Sequence, residues 1–111
     1  MNKLVVVREY VSINGSSPFK EWFDSLEGQA AIKVAVALER IAQGHTSAMK
    51  ALGAGVSEYK IDFGPGYRIY FGKDGDRLVI LLGGGTKKRQ QLDIADAKTM
   101  WTEYKRARKQ E

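Results

Sequence analysis

Hydrophobic residues in the first half of the chain recur first at the spacing of a strand and then at that of helices. Leu4 to Tyr10 is rich in β-branched residues, which predicts a strand. Pro18 is expected to begin a helix, because a proline at the first helical position gives up no needed N–H group. The apolar stripe of this helix recurs at i, i+3, i+4 and i+7 and comprises Phe19, Trp22, Phe23 and Leu26. Breaks at Gly28 and Gly44 enclose a second helix from about Gln29 to Ala42, so we expect a helical hairpin packed against a sheet.

From Val56 onward the hydrophobic period changes to two, which predicts a β-hairpin around the turn Gly64-Pro65-Gly66. If Phe63 pairs with Tyr67 across that three-residue loop, the register of the two strands follows. The core-facing pairs are then Ile61 with Ile69 and Tyr59 with Phe71, and the outer pairs are Asp62 with Arg68 and Lys60 with Tyr70. The outer face of the sheet is therefore expected to carry charge.

The five apolar residues Leu78 to Leu82 predict a strand that is covered on both faces. Gly83 to Arg89 follows as a flexible basic loop, and the last helix is expected to start at Asp93 as its N-cap. The order is strand, helix, helix, three strands and helix. It predicts an α+β fold with a mainly antiparallel four-stranded sheet packed against an N-terminal helical hairpin, with a C-terminal helix, in one domain over residues 1–111.

Composition narrows the function classes. The formal net charge is +5, and eight of the 18 basic residues follow Thr86, so we expect a polyanionic partner, either nucleic acid or an acidic protein segment. The alternative is a basic surface that only keeps the protein soluble. The absence of cysteine excludes disulfides, thiolate nucleophiles and cysteine-type zinc sites, and a single histidine makes another metal site unexpected. The run Leu4 to Val7 is too short for a signal peptide or membrane span, so we expect a cytoplasmic protein that binds no membrane.

Three segments, in order, resemble one family. They are Gly64 to Phe71, Leu81 to Lys88 and Gln91 to Ala97, and they look like the RelE/ParE-superfamily toxins of the phage-derived addiction-module killer group, relatives of HigB. The upstream segments Phe19 to Trp22 and Gly55 to Lys60 are also similar to that group. The group commonly has Gly-Asp-Lys-Ser where this chain has Gly85-Thr86-Lys87-Lys88, so Lys87 keeps its register and an acid is lost.

The resemblance implies a RelE-like compact domain and the toxin of a type II toxin-antitoxin system. It implies a ribosome-dependent mRNA endonuclease, in which a 2′-hydroxyl attacks the neighbouring phosphate, with no cofactor. The alternatives are a ParE-like, non-enzymatic toxin that acts on DNA gyrase and a relative that has lost its toxicity. The implied partners are the ribosome, mRNA and a cognate antitoxin of the helix-turn-helix type encoded in the same operon.

Such a cleavage needs a base, an acid and fixed positive charge at the phosphate. Arg68 matches the family's sheet arginine and is the first candidate, because a guanidinium can hold two phosphate oxygens. Lys87 is expected on the same face, where it would bind phosphate or protonate the leaving oxygen, and the proton acceptor is either Lys60 or Glu58. The candidates for RNA binding are Lys88, Arg89 and Tyr70. Each has a structural alternative: Arg68 as a cross-strand ion pair with Asp62, and the other charged residues as solvated surface charge.

Overall fold

The computed structural model describes residues 4–45 and 48–109. Five strands and three helices follow one another along these residues. They are β1 (Val6–Glu9), α1 (Pro18–Asp24), α2 (Gly28–Ala42), β2 (Met49–Gly53), β3 (Val56–Ile61), β4 (Tyr67–Asp74), β5 (Leu78–Thr86), a short 3-10 turn (Lys87–Arg89) and α3 (Gln90–Lys109). The strands form one sheet in the order β1-β5-β4-β3-β2, in which β1 runs parallel to β5 and the other neighbours are antiparallel.

The predicted α+β class, the mainly antiparallel sheet and the C-terminal helix are confirmed, but the sheet has five strands and not four. The additional strand, β2, lies at one edge of the sheet and pairs only with β3. Its five residues, Met49–Gly53, show no strict alternation of apolar and polar side chains, because an edge strand buries little on either face. The strand is therefore recognised by its pairing with β3 and not by a pattern in its own sequence.

Side-chain caps mark the starts of the two N-terminal helices. The Ser17 hydroxyl accepts a hydrogen bond from the backbone N–H of Lys20 at 3.2 Å, which caps α1 ahead of Pro18. The Glu27 carboxylate caps α2 in the same way, with its Oε1 2.7 Å from the backbone nitrogen of Ala30. Gly28 is therefore the first residue of α2 and not the break itself. No helix in the described residues is long and apolar enough to cross a membrane.

Apolar side chains pack on both faces of the sheet. One face carries the side chains Tyr59, Ile69, Phe71, Val79 and Leu81, which pack against α1 and α2 through Phe19, Val34, Ala37 and Ile41. The other face carries Val56, Tyr70, Ile80 and Leu82, which pack against Ala97 and Trp101 of α3. The expectation that β5 is covered on both faces is confirmed. The expectation that the second face of the hairpin lies outside is wrong for its central part, because α3 covers Tyr70.

The register of the β3–β4 hairpin differs from the predicted one by two residues. Ile61 pairs with Tyr67, Tyr59 with Ile69, Lys60 with Arg68 and Glu58 with Tyr70. The loop is longer than three residues because the Phe63 carbonyl accepts the N–H of Gly66 at 3.0 Å, in a turn that removes Phe63 from the ladder. Gly64 and Gly66 hold positive φ angles of 54° and 79° in this turn. The predicted pair of Asp62 with Arg68 is therefore wrong, and Arg68 faces Lys60.

The segment predicted as a flexible basic loop is ordered. Gly83, Gly84 and Gly85 continue β5, the basic triplet forms a 3-10 turn, and α3 begins at Gln90, three residues before the predicted start. Two of the glycines leave room for side chains that pack onto the strand. A Cβ on Gly84 would collide with the indole ring of Trp22, and one on Gly85 would collide with the carboxylate of Asp93. Asp93 thus lies in the first turn of α3 against β5 and is not the N-cap.

Candidate functional site

A cationic cleft of about 330 Å³ lies where the β3–β4 turn meets the end of β5. Three basic side chains from three different elements line it: Lys60 of β3, Arg68 of β4 and Lys87 of the 3-10 turn. The rest of its wall is Asp62 and the turn residues 63–66. Lys60 and Arg68 reach the same side of the sheet because they are cross-strand partners, and Lys87 follows Thr86, which pairs with Tyr67 beside Arg68.

Arg68 is held by a buried ion pair. Its Nε lies 3.4 Å from Oε1 of Glu58, and each of the two side chains is only 7% exposed. The Nε–H is not directed at a hydrogen-bond acceptor among the described residues, so the contact is electrostatic. Nη1 of Arg68 donates to the carbonyl of Gly66 at 3.3 Å, which ties the guanidinium to the glycine turn. A buried guanidinium with a fixed counter-ion keeps its orientation at the cleft.

Glu58 has a second partner that comes from α3. Nε2 of Gln90 donates a hydrogen bond to Oε1 of Glu58 at 3.1 Å, across 32 residues of sequence. The same carboxylate oxygen therefore contacts both Gln90 and Arg68, and Glu58 is only 5% exposed. The sequence offered no indication of Gln90, because only the docking of α3 brings it to β3. Glu58 lies behind Arg68 and is absent from the wall of the cleft.

The two lysines at the cleft, Lys60 and Lys87, have exposed side chains. Nζ of Lys60 lies 3.6 Å from Oδ1 of Asp62, and both side chains are more than half exposed. Such a pair in water contributes little to stability, so Lys60 is free to exchange Asp62 for an anionic ligand. With Lys60, Arg68 and Lys87 against Asp62, the side chains that line the cleft carry three positive charges and one negative charge. The arrangement favours binding of a phosphate group.

The three predicted RNA contacts have different positions. Lys88 and Arg89 are exposed on the 3-10 turn next to Lys87 but do not line the cleft. Tyr70 is fully buried, with its hydroxyl unpaired among the described residues, so RNA cannot reach it in this conformation. Burial, together with the charges of Glu58 and Asp93, raises the pKa of Tyr70 to about 12. Tyr70 is a neutral hydroxyl at physiological pH.

Tyr104 and Asp93 both lie on α3, outside the cationic cleft. Tyr104 donates a hydrogen bond to Oδ2 of Asp74 at 2.8 Å, far along the helix from the cleft. Asp93 lies near the start of the helix, and its burial against β5 raises the pKa of its carboxyl above the ordinary value. Within residues 4–45 and 48–109, no three histidine or carboxylate side chains cluster as they would around a metal ion.

The comparisons with known proteins give one family and one relative. Residues 21–108 match the family described as Phage derived protein Gp49-like, which belongs to the RelE/toxin-like addiction-module group. The chain is also similar to an uncharacterized protein of Haemophilus influenzae, with 34% identity over 91 residues that cover 81% of this chain and 92% of that relative. The match includes every residue of the cationic cleft, as well as Glu58 and Gln90. The chain therefore belongs to the phage-derived Gp49-like family.

Proposed function

We propose that this protein is the toxin of a type II toxin-antitoxin pair and that it cleaves mRNA on the ribosome. The observation that carries the proposal is the convergence of Lys60, Arg68 and Lys87 on one cleft. Cleavage by attack of a 2′-hydroxyl develops negative charge on the phosphate, and preorganised cations lower the barrier of such a reaction. Membership of the addiction-module group supports the toxin assignment.

Arg68 is the group that stabilises the charged phosphate. Its guanidinium lines the cleft while its Nε faces Glu58, so the ion pair fixes the side chain before substrate binds. Preorganisation of this kind avoids reorganising charges during the reaction. We assign Glu58 the role of holding Arg68, because its buried carboxylate already contacts Arg68 and Gln90 and does not line the cleft.

Proton transfer is then assigned to the two exposed lysines. In the reaction, Lys60 first gives its ammonium proton to solvent and then, as the neutral amine, accepts the proton of the 2′-hydroxyl, while the Lys87 ammonium protonates the leaving 5′-oxygen or neutralises it. Both side chains line the cleft on either side of Arg68, one from β3 and one from the turn after β5. General acid and base groups contribute typically 10²- to 10⁴-fold to a rate, so loss of either lysine is expected to be severe.

The proposal is tested by inducing the protein in bacteria and mapping 5′ ends on a translated and an untranslated copy of one reporter mRNA. Lys60→Gln and Lys87→Gln are the informative variants, because both side chains are exposed and their loss leaves the fold intact. Arg106→Gln is the matched control, since it removes the same charge from the exposed far end of α3. New cuts in the translated copy only, lost in the two cleft variants and kept in the control, are expected.

Two other results would contradict this proposal. Growth arrest with both messages intact contradicts mRNA cleavage and favours the gyrase-directed, non-enzymatic toxin. Absence of growth arrest on induction contradicts a toxin of either kind. The proposal also expects an antitoxin gene beside this one, encoding a helix-turn-helix protein whose coexpression restores growth. Its inhibitory segment is expected to be acidic, to complement the cationic cleft.

A further inference from the structure

A second cavity, of about 110 Å³, lies between the first turns of α3 and the glycine segment of β5. It shares no lining residue with the cationic cleft. Its polar lining is the Tyr70 side chain and the carboxylates of Asp93 and Asp96, and Gly83 leaves the space open because a Cβ there would meet nothing within 4 Å. We call it the α3 cavity.

The α3 cavity is lined by a buried polar group that has no partner among the described residues. Tyr70 is fully buried, and its hydroxyl makes no hydrogen bond to any described residue. Beside it, the half-buried Asp93 carboxylate is packed against Gly85, and its burial raises its pKa. Buried polar groups in folded proteins are nearly always paired, so the unpaired Tyr70 hydroxyl beside an open space indicates a missing partner.

We propose that the α3 cavity binds one guanidinium or alkylammonium group. Such a group supplies several N–H donors at once, for the two carboxylates and for a lone pair of the Tyr70 hydroxyl. It also brings positive charge into the cavity, which is lined by no basic residue among those described; Arg89, the basic residue that acts on Asp93, lies outside it. The site is independent of the proposed nuclease function.

Size and charge select this ligand over the alternatives. Pockets for nucleotides and drug-sized molecules are typically about 300 Å³ or larger, whereas this cavity accommodates one side-chain head group. Two carboxylates repel a phosphate, so a nucleic acid backbone is excluded. The head group comes either from an arginine or lysine of a partner protein or from a free small cation such as a polyamine, and both present the same donors.

The test is a thermal and NMR titration of the purified full chain with methylguanidinium, spermidine and a capped Gly-Arg-Gly peptide. Tetramethylammonium, which has the same charge and no N–H donor, is the control at equal ionic strength. At low salt we expect a dissociation constant of about 1 mM and a rise in Tm of about 5 °C at ten times that concentration. A peptide that binds more tightly than methylguanidinium identifies a partner protein as the source, and tighter binding of spermidine identifies a free cation.

Substitutions of the lining residues test whether the ligand binds in the α3 cavity. Asp93→Asn is expected to weaken binding at least about tenfold, while Asp76→Asn, which removes an exposed carboxylate from the β4–β5 turn, should leave it unchanged. Tyr70→Phe should reduce the response to ligand and leave the Tm of the free protein unchanged or higher, because it deletes an unpaired hydroxyl. A response equal to that of tetramethylammonium, or one that survives both Asp93→Asn and Asp96→Asn, overturns the proposal.

Discussion

At the scale of the residue, the ion pair of Arg68 and Glu58 determines what the cationic cleft can do. Both side chains are buried, so removal of one partner leaves the other as an uncompensated charge. We expect Glu58→Gln to lower the free energy of unfolding by about 3 kcal/mol, and the double variant Glu58→Gln with Arg68→Met to recover most of that loss. Urea unfolding of the two single variants and the double variant measures it. Small, additive losses would contradict the coupling.

The ion pair of Arg68 and Glu58 should also affect the rate of mRNA cleavage. Gln90→Ala removes one hydrogen bond to Glu58 without touching the wall of the cleft. We expect a loss of stability of about 1 kcal/mol and a larger proportional loss of cleavage, because Arg68 is less firmly oriented. Cleavage of a reporter mRNA by ribosomes supplemented with each protein measures this, with Gln91→Ala, an exposed neighbour, as control. If cleavage falls only in proportion to the fraction of folded protein, Gln90 has a purely structural role.

The raised pKa of Tyr70 predicts how the stability of the protein changes at alkaline pH. Its pKa of about 12 in the folded protein exceeds the ordinary value of 10, so its titration does not affect stability below pH 10 and lowers stability as the pH rises from 10 to 12, where the unfolded chain ionises first. The wild-type protein is therefore expected to lose about 2 kcal/mol more than Tyr70→Phe across this interval. Unfolding in urea at pH 9.5 and pH 11.5 compares the two proteins. Parallel losses would mean that Tyr70 ionises in the folded state as easily as in the unfolded chain.

At the scale of the element, the three glycines of β5 differ in whether a Cβ would fit at their positions. A Cβ at Gly83 meets open space, whereas one at Gly84 meets the rigid indole of Trp22 and one at Gly85 meets the end of the Asp93 side chain. We expect Gly84→Ala to destabilise by about 2–3 kcal/mol and Gly83→Ala to be neutral or stabilising by up to about 1 kcal/mol. Gly85→Ala should lie between them, because a carboxylate can turn aside. Equal effects at Gly83 and Gly84, measured by thermal unfolding, would contradict the packing of Trp22 on β5.

The elements that could be predicted from the sequence are those whose periodicity is local. The stripe on α1 and the apolar run in β5 each predict an element by themselves. Strand β2 could not be predicted, because an edge strand with little buried surface has no pattern and exists through its pairing with β3. The hairpin register was missed by two residues because the turn around Gly64 and Gly66 sets it, and a two-residue shift leaves each side chain on the same face.

The site was predictable in part for the same reason. Lys60 and Arg68 alternate with apolar residues on neighbouring strands, so their common face follows from the sequence. Lys87 was expected on the same face because it lies just after the core strand, and the resemblance to the toxin family keeps its register. Gln90 and the burial of Tyr70 both depend on α3 packing across the second face of the sheet, which is a tertiary contact. Local sequence patterns carry no information on contacts of that range.

At the scale of the whole molecule, two regions that carry positive charge lie far apart. One is the cationic cleft with the 3-10 turn beside it, and the other is the last turns of α3, where Arg106 and Lys109 are exposed. Gln90 and Arg106 are separated by about 24 Å along the helix axis. A net charge of +5 attracts RNA to the whole surface, and the cleft adds a concave shape and a buried guanidinium to its cations.

The salt dependence of RNA binding separates the two regions. We expect a single-stranded, 2′-O-methylated RNA, which cannot be cleaved, to bind the wild-type protein with an affinity that falls steeply with salt. Each of Lys60→Gln and Lys87→Gln should reduce the slope of log K against log salt by about 0.7, the value for one phosphate contact on a single strand. Arg106→Gln should leave the slope nearly unchanged. If all three variants change it equally, RNA is held by diffuse charge over the whole surface, and the cationic cleft has no special part in binding.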